Sequence, residues 1–173
     1  MNANVLVAIV ILAFTGCRKG EILTLKPDEL DAAGHCLRLR DSKSGPQLRP
    51  CGRAALKILA KLPLDGSDWL FPAGRGDGPL VNIRKPLLTI CKLAGLTAVT
   101  PHVLRHSYAT VAHELGYSEL TIAGLLGHRA GSVTARYAHH VDSALAAAAD
   151  RVSETIAARL RSGAVELAKD ESA

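Results

Sequence analysis

Aromatic residues are scarce in this chain of 173 residues: there are three tyrosines, two phenylalanines and one tryptophan. Chemistry that needs a phenol therefore has only Tyr108, Tyr117 and Tyr137 to draw on. Cysteine is sparse too. Cys17, Cys36, Cys51 and Cys91 form no C-x-x-C pair, which argues against a disulfide framework and for reduced thiols in a cytoplasmic protein. Cys36 and Cys51 can face each other across a hairpin, and thiols are expected there as well. The longest apolar run, Val5 to Phe14, has ten residues, whereas a membrane span needs roughly twenty. It reads as a buried helix. No basic stretch precedes it and no small-residue cleavage site follows, so a secretory signal is unsupported. There is no G-x-x-x-x-G-K-[ST] loop and no carboxylate cluster of the kind that holds magnesium. No internal repeat or compositional border marks a second domain.

What is present is enough apolar residue, 48% of the chain, for one domain with a real core. The net charge of +5 favours a polyanionic partner only if the basic residues cluster. The stretch Thr100-Pro-His-Val-Leu-Arg-His-Ser-Tyr-Ala-Thr110 is the densest in chemistry. Pro101 suits the first turn of a helix and Thr100 is a good N-cap. A helix starting there sets His102, Arg105 and His106 on one face, because residues three and four apart are neighbours. Leu126-Gly-His128 and Arg136-Tyr-Ala-His139 follow. Together they suggest a phosphate site with a tyrosine at its edge.

Along the chain, Gly16 and Gly20 break the first helix, Arg18 sits in the break, and a short helix is predicted from Glu21 to Leu25. Cys36 to Arg40 alternates apolar with basic residues, the period of a half-buried strand. Asp41 to Pro46 is a turn cluster with Lys43 at its tip, and Gln47 to Cys51 returns as the partner strand. Helical spacing covers Arg53 to Leu62 and about Val81 to Ala94, with a loop between them that Trp69, Leu70 and Phe71 anchor on the core. Further helices are predicted over Glu119 to Leu126, Ser132 to Tyr137 and Asp142 to Leu160. The last ten residues should fray.

The set Arg18, Lys43, His102, Arg105, His128 and Tyr137, in that order, resembles the tyrosine recombinases, also called phage integrases. The resemblance is carried by Thr15-Gly-Cys-Arg-Lys-Gly-Glu21, Ser42-Lys-Ser-Gly45, His102-Val-Leu-Arg-His106, Leu126-Gly-His128 and Arg136-Tyr-Ala-His139. Each motif is weak alone, and their joint order is specific. It implies a mainly helical α+β catalytic domain with a small antiparallel sheet, spanning 1–162, followed by a flexible tail, 163–173. It also implies that the family's amino-terminal core-binding domain, which closes the clamp on DNA, is absent from this chain. Gln47-Leu-Arg-Pro-Cys51 departs from the apolar-Pro-Leu strand common in the family.

The resemblance implies a site-specific recombinase that cuts and rejoins double-stranded DNA through a 3′-phosphotyrosyl link, with neither metal nor ATP as cofactor. Arg18 and Arg105 would clamp the phosphate and Lys43 would protonate the leaving 5′ oxygen. His102 would accept the proton of the nucleophile Tyr137, and His128 would hydrogen-bond the phosphoryl oxygens. Glu21 would partner an arginine, and His106 would be a buried, hydrogen-bonded support. Arg38 and Arg40 would join Arg18, Lys43 and Arg105 in binding DNA. The carboxy-terminal helix, with Leu145, Ile156 and Leu160, would dock on a neighbouring copy in a tetrameric synapse on nucleoid DNA. Two other readings stand beside this one: a type IB-like topoisomerase, and a non-catalytic DNA-binding remnant. A zinc site at His102 and His106 lacks the glutamate of H-E-x-x-H and has no ready third ligand except His128.

Overall fold

Helix α1, Ala3–Thr15, is apolar around nearly its whole circumference, and such a helix is stable only when surrounded. It is the centre of the molecule in the computed structural model, which describes residues 3–40, 45–63, 66–128 and 141–170, the stretch 164–170 by backbone alone. Ala8, Ile11 and Leu12 have no exposed surface. Helices α3 (Arg53–Leu59), α4 (Arg84–Leu93), α5 (Pro101–Glu114) and α7 (Ser143–Asp170) pack around it. The short α2 (Lys19–Leu23) follows α1, beginning two residues earlier than expected.

Strands β1 (Leu30–Asp31), β2 (Cys36–Leu39) and β3 (Gln47–Pro50) form an antiparallel sheet in that order. The expected hairpin is β2–β3, and β1 is an additional edge pair of two residues. Leu37 lies opposite Arg49 and Leu39 opposite Gln47, so Arg49 shares the inward face with the two leucines. Pro50, not Cys51, lies opposite Cys36, and all four cysteines are buried free thiols.

Two apolar clusters result. One joins α1 to α2, β2, α3 and α4, with Leu70 and Phe71 of the long loop inserted as anticipated and Trp69 only half-buried. The other is built by α5, α6 (Glu119–Leu126) and α7 around Tyr108, Leu125 and Val152. Leu145 and Ile156, expected to dock on a neighbouring copy, pack instead inside this chain, because α7 folds back over both clusters. Only Leu160 of that trio is exposed, at 54%. Helix α7 also runs to Asp170, past the point at which a tail was expected. The helix predicted over Ser132 to Tyr137 lies outside the described residues.

Candidate active site

The site starts where α1 stops. Gly16 adopts φ +60, and a Cβ there would come within 2.7 Å of the Tyr108 ring and 3.0 Å of Leu126. Only glycine permits both that backbone angle and that closeness. The turn aims the Gly16 carbonyl at Arg105, whose Nη1 donates to it at 2.5 Å. Arg105 is 6% exposed. Its Nη2 donates to the carbonyl of Leu126 at 2.9 Å and lies 3.0 Å from His128 Nε2. A guanidinium has no lone pair to offer, so His128 Nε2 is the acceptor and the ring proton sits on Nδ1. His128 is thus neutral in this arrangement. Partial burial, then the charges of Arg105, Arg18 and Arg49, hold its pKa below the usual histidine value.

Arg18 caps the start of α2 in extended conformation, φ −70 and ψ 149. Its amide donates to Glu21 Oε2 at 2.7 Å and its Nη1 to Glu21 Oε1 at 3.0 Å. The Arg18 side chain is 45% exposed while that of Glu21 is 7% exposed. Burial alone would raise the Glu21 carboxyl, but the charge of Arg49 and the hydrogen bonds from Arg18 and Arg49 outweigh it and hold the pKa below the ordinary value. Burial and the neighbouring charges of Arg49 and Arg18 in turn lower the pKa of Arg105. Segments distant in sequence thus converge on one positive centre around a single carboxylate.

Arg49 is the residue that sequence reasoning missed. It has no exposed surface, and its Nη2 donates to Glu21 Oε1 at 2.7 Å. Its Nε and Nη1 have no hydrogen-bond partner. The guanidinium lies against Gly127, where any Cβ would overlap it. Gly127 ends α6 in the left-handed region, φ +62, and directly precedes His128. Nothing in the local pattern marks Arg49 as buried; only its register opposite Leu37 does.

Thr100 caps α5 as expected, its hydroxyl accepting from the Val103 amide at 3.2 Å. The face proposed for His102, Arg105 and His106 is divided, however. Arg105 turns inward, whereas His102 and His106 are exposed, their rings edge to face with centroids 4.4 Å apart. His106 is therefore not the buried support that was anticipated: its position on the helix points away from the core that encloses Arg105. Among the described residues no three His, Cys, Asp or Glu side chains converge as metal ligands. Tyr108 is 1% exposed, and burial pushes its phenol far above the usual value. Tyr117 is half-buried against the second cluster. Lys43 and Tyr137 lie outside the described residues.

Arg38 and Arg40 emerge on the solvent side of β2, but each has a carboxylate. Arg38 donates through Nε at 3.0 Å and through Nη2 to Asp31 Oδ2, and Arg40 Nη1 lies 2.7 Å from Asp28. Among the described residues no helix is long and apolar enough to cross a membrane.

The sequence profile of the phage integrase family fits residues 2–144. The tyrosine recombinase XerD of Mycobacterium tuberculosis is 33% identical over an alignment of 112 residues that covers 58% of this chain and 36% of that protein. The chain thus spans about a third of the length of that curated relative. Among solved structures, an integrase from mycobacterium phage Brujita superposes with a TM-score of 0.69 at 22% identity, over 88% of this chain and 52% of that one. The lambda integrase catalytic core superposes with a TM-score of 0.58 at 23% identity, over 73% of this chain and 84% of that one. The fold is that of a tyrosine recombinase catalytic domain.

Proposed function

From the premise that this chain belongs to the phage integrase family, we propose that it is the catalytic part of a site-specific recombinase that breaks and rejoins duplex DNA through a 3′-phosphotyrosyl intermediate. The observation that carries the reading is the convergence of Arg18, Arg105 and a neutral His128 on one positive centre. A phosphodiester under attack gathers negative charge on its non-bridging oxygens, and fixed donors aimed at them lower the barrier. Arg105 keeps Nε–H and one Nη1–H without a partner among the described residues, and His128 keeps its Nδ1–H as a donor. Guanidinium groups suit this task because they stay charged and present paired N–H groups.

In the proposed reaction the Tyr137 oxygen bonds to phosphorus as the bond from phosphorus to the 5′ oxygen breaks. The phenol proton passes to His102, and Lys43 gives a proton to the departing oxygen. The phosphotyrosine ester keeps the energy of the bond it replaces. Attack by another strand's 5′ hydroxyl then reseals DNA and frees Tyr137, so the scheme needs no nucleotide or metal. Exchange between duplexes further requires self-association on DNA, as a tetrameric synapse in the full-length protein.

The test is a duplex nicked just 3′ of the scissile phosphate, whose short end diffuses away and traps the adduct. Wild type should form a covalent complex that survives denaturant and maps to Tyr137 by peptide mass, and Tyr137→Phe should form none while binding DNA. An adduct at Tyr108 or Tyr117, or one persisting in Tyr137→Phe, overturns the assignment.

A further inference from the structure

Glu21 Oε1 accepts from two guanidinium groups at once, Arg49 Nη2 at 2.7 Å and Arg18 Nη1 at 3.0 Å. The two donors differ in freedom. The Arg49 side chain is 1% exposed and cannot leave, whereas that of Arg18 is 45% exposed and can swing to solvent. The Glu21 side chain is 7% exposed, and a carboxylate so covered is costly without a counter-ion. If Arg18 were its only cation, moving Arg18 onto a phosphate would strand that charge. With Arg49 in place, Glu21 remains paired wherever Arg18 goes.

We propose that Arg49 is a positioning residue of the phosphate site: the permanent counter-ion of Glu21, which releases Arg18 for a DNA phosphate. This inference rests on the reading of Arg18 as a phosphate ligand. It explains why so large a cation is enclosed at β3 with Nε and Nη1 unpartnered. Its position is dictated by the single carboxylate it must neutralise rather than by completion of its own hydrogen bonds. Arg49 and Arg18 are the two cations whose charge or hydrogen bonds hold the Glu21 carboxyl below its ordinary value. Removing Arg49 therefore leaves Arg18 as the nearest replacement cation and holds it on Glu21.

A double-variant cycle on the full chain tests this through affinity for duplex DNA, read by fluorescence anisotropy at fixed salt and pH 7.5. Arg49→Met should weaken binding about tenfold in the wild-type background, the scale of one charge-assisted contact. In the Arg18→Ala background the same change should alter affinity by less than about twofold, because the residue it acts through is gone. Equal losses in both backgrounds, or no loss in the first, would overturn the proposal. If Arg49→Met alone does not fold, the pair Arg49→Met with Glu21→Gln removes both buried charges together. That variant should bind within about threefold of wild type, and a loss of about tenfold or more would count against Arg49 acting through Glu21. Adduct formation is scored separately. A wild type that binds duplex but forms no adduct overturns the recombinase reading and leaves the cycle decisive, and one that binds no duplex overturns both.

Discussion

Arg105 donates to the Nε2 of His128 across 3.0 Å, a contact that only an imidazole unprotonated at Nε2 can accept. A protonated imidazole has no lone pair at Nε2, so gaining a proton breaks the contact and places a second cation beside the guanidinium. The pKa of His128 accordingly lies below its ordinary value, through burial and then Arg105, Arg18 and Arg49. An unfolded histidine takes up its proton near pH 6.5. Between that pH and the folded value the unfolded chain binds more protons, so the stability due to this contact is complete above about 6.5 and is lost as pH falls toward and through the folded value. The imidazole signals of His128 in NMR should titrate below 6.5, and thermal stability should fall more between pH 7 and 5 for wild type than for His128→Gln. A midpoint at or above 6.5 would rule out the neutral, accepting ring.

Arg105→Lys keeps the charge but cannot span the Gly16 carbonyl, the Leu126 carbonyl and His128 together. Cleavage of the nicked duplex in single turnover should fall by about two orders of magnitude or more. The two carbonyls lose their donors in part, so stability should also drop, by about 1–3 kcal/mol. Wild-type cleavage by this variant would refute the clamp.

If the basic face meets phosphates, the logarithm of DNA affinity should fall linearly with the logarithm of salt concentration. Arg18→Ala should reduce the magnitude of that slope by about one. Arg38→Gln with Arg40→Gln should reduce it by less than about two, because both guanidiniums are already paired with Asp31 and Asp28 and release fewer counter-ions on binding. A salt-independent affinity would exclude this face as the DNA surface.

Much of this architecture was legible because it rests on local chemistry. Pro101 after Thr100 marks the start of α5, the apolar run that ends before Gly127 marks α6, and the alternation from Cys36 to Leu39 marks β2. The motif order also brought together Arg18, Glu21, Arg105 and His128, which the fold assembles. Burial of a charged residue was not legible. Arg49 and Arg38 look alike in sequence, each following a leucine, but Arg49 lies opposite Leu37 on the inward face and Arg38 lies on the other face, and a slip of one residue in β3 would turn Arg49 outward. His106 fails for a related reason: helical spacing puts it beside Arg105 but does not say which of the two points inward. Sequence alone leaves Leu145 and Ile156 free to dock on a neighbouring copy, because nothing local shows that α7 returns across the clusters built by α1 and α5.

Gly127 is the residue at which the fold and the candidate site depend on each other most directly. It closes α6 with φ +62, the amide of His128 then donates to the Ala123 carbonyl at 2.8 Å, and the Arg49 guanidinium fills the space a Cβ would need. Gly127→Ala therefore meets both a backbone angle that alanine adopts at a cost and a buried cation that cannot move without leaving Glu21. Stability in urea should fall by about 2–4 kcal/mol, the sum of left-handed strain and overpacking. Gly124, inside the same helix, provides the control. A Cβ there would lie 3.0 Å from the end of the Leu145 side chain, and the gain in helix propensity from Gly124→Ala offsets that contact to within about 1 kcal/mol. Adding Arg49→Met to Gly127→Ala replaces the rigid fork with a flexible thioether and should recover part of the overpacking but none of the strain. If Gly127→Ala were as stable as wild type, or if Arg49→Met gave the same change with either residue at 127, the guanidinium would not be what holds the turn before His128.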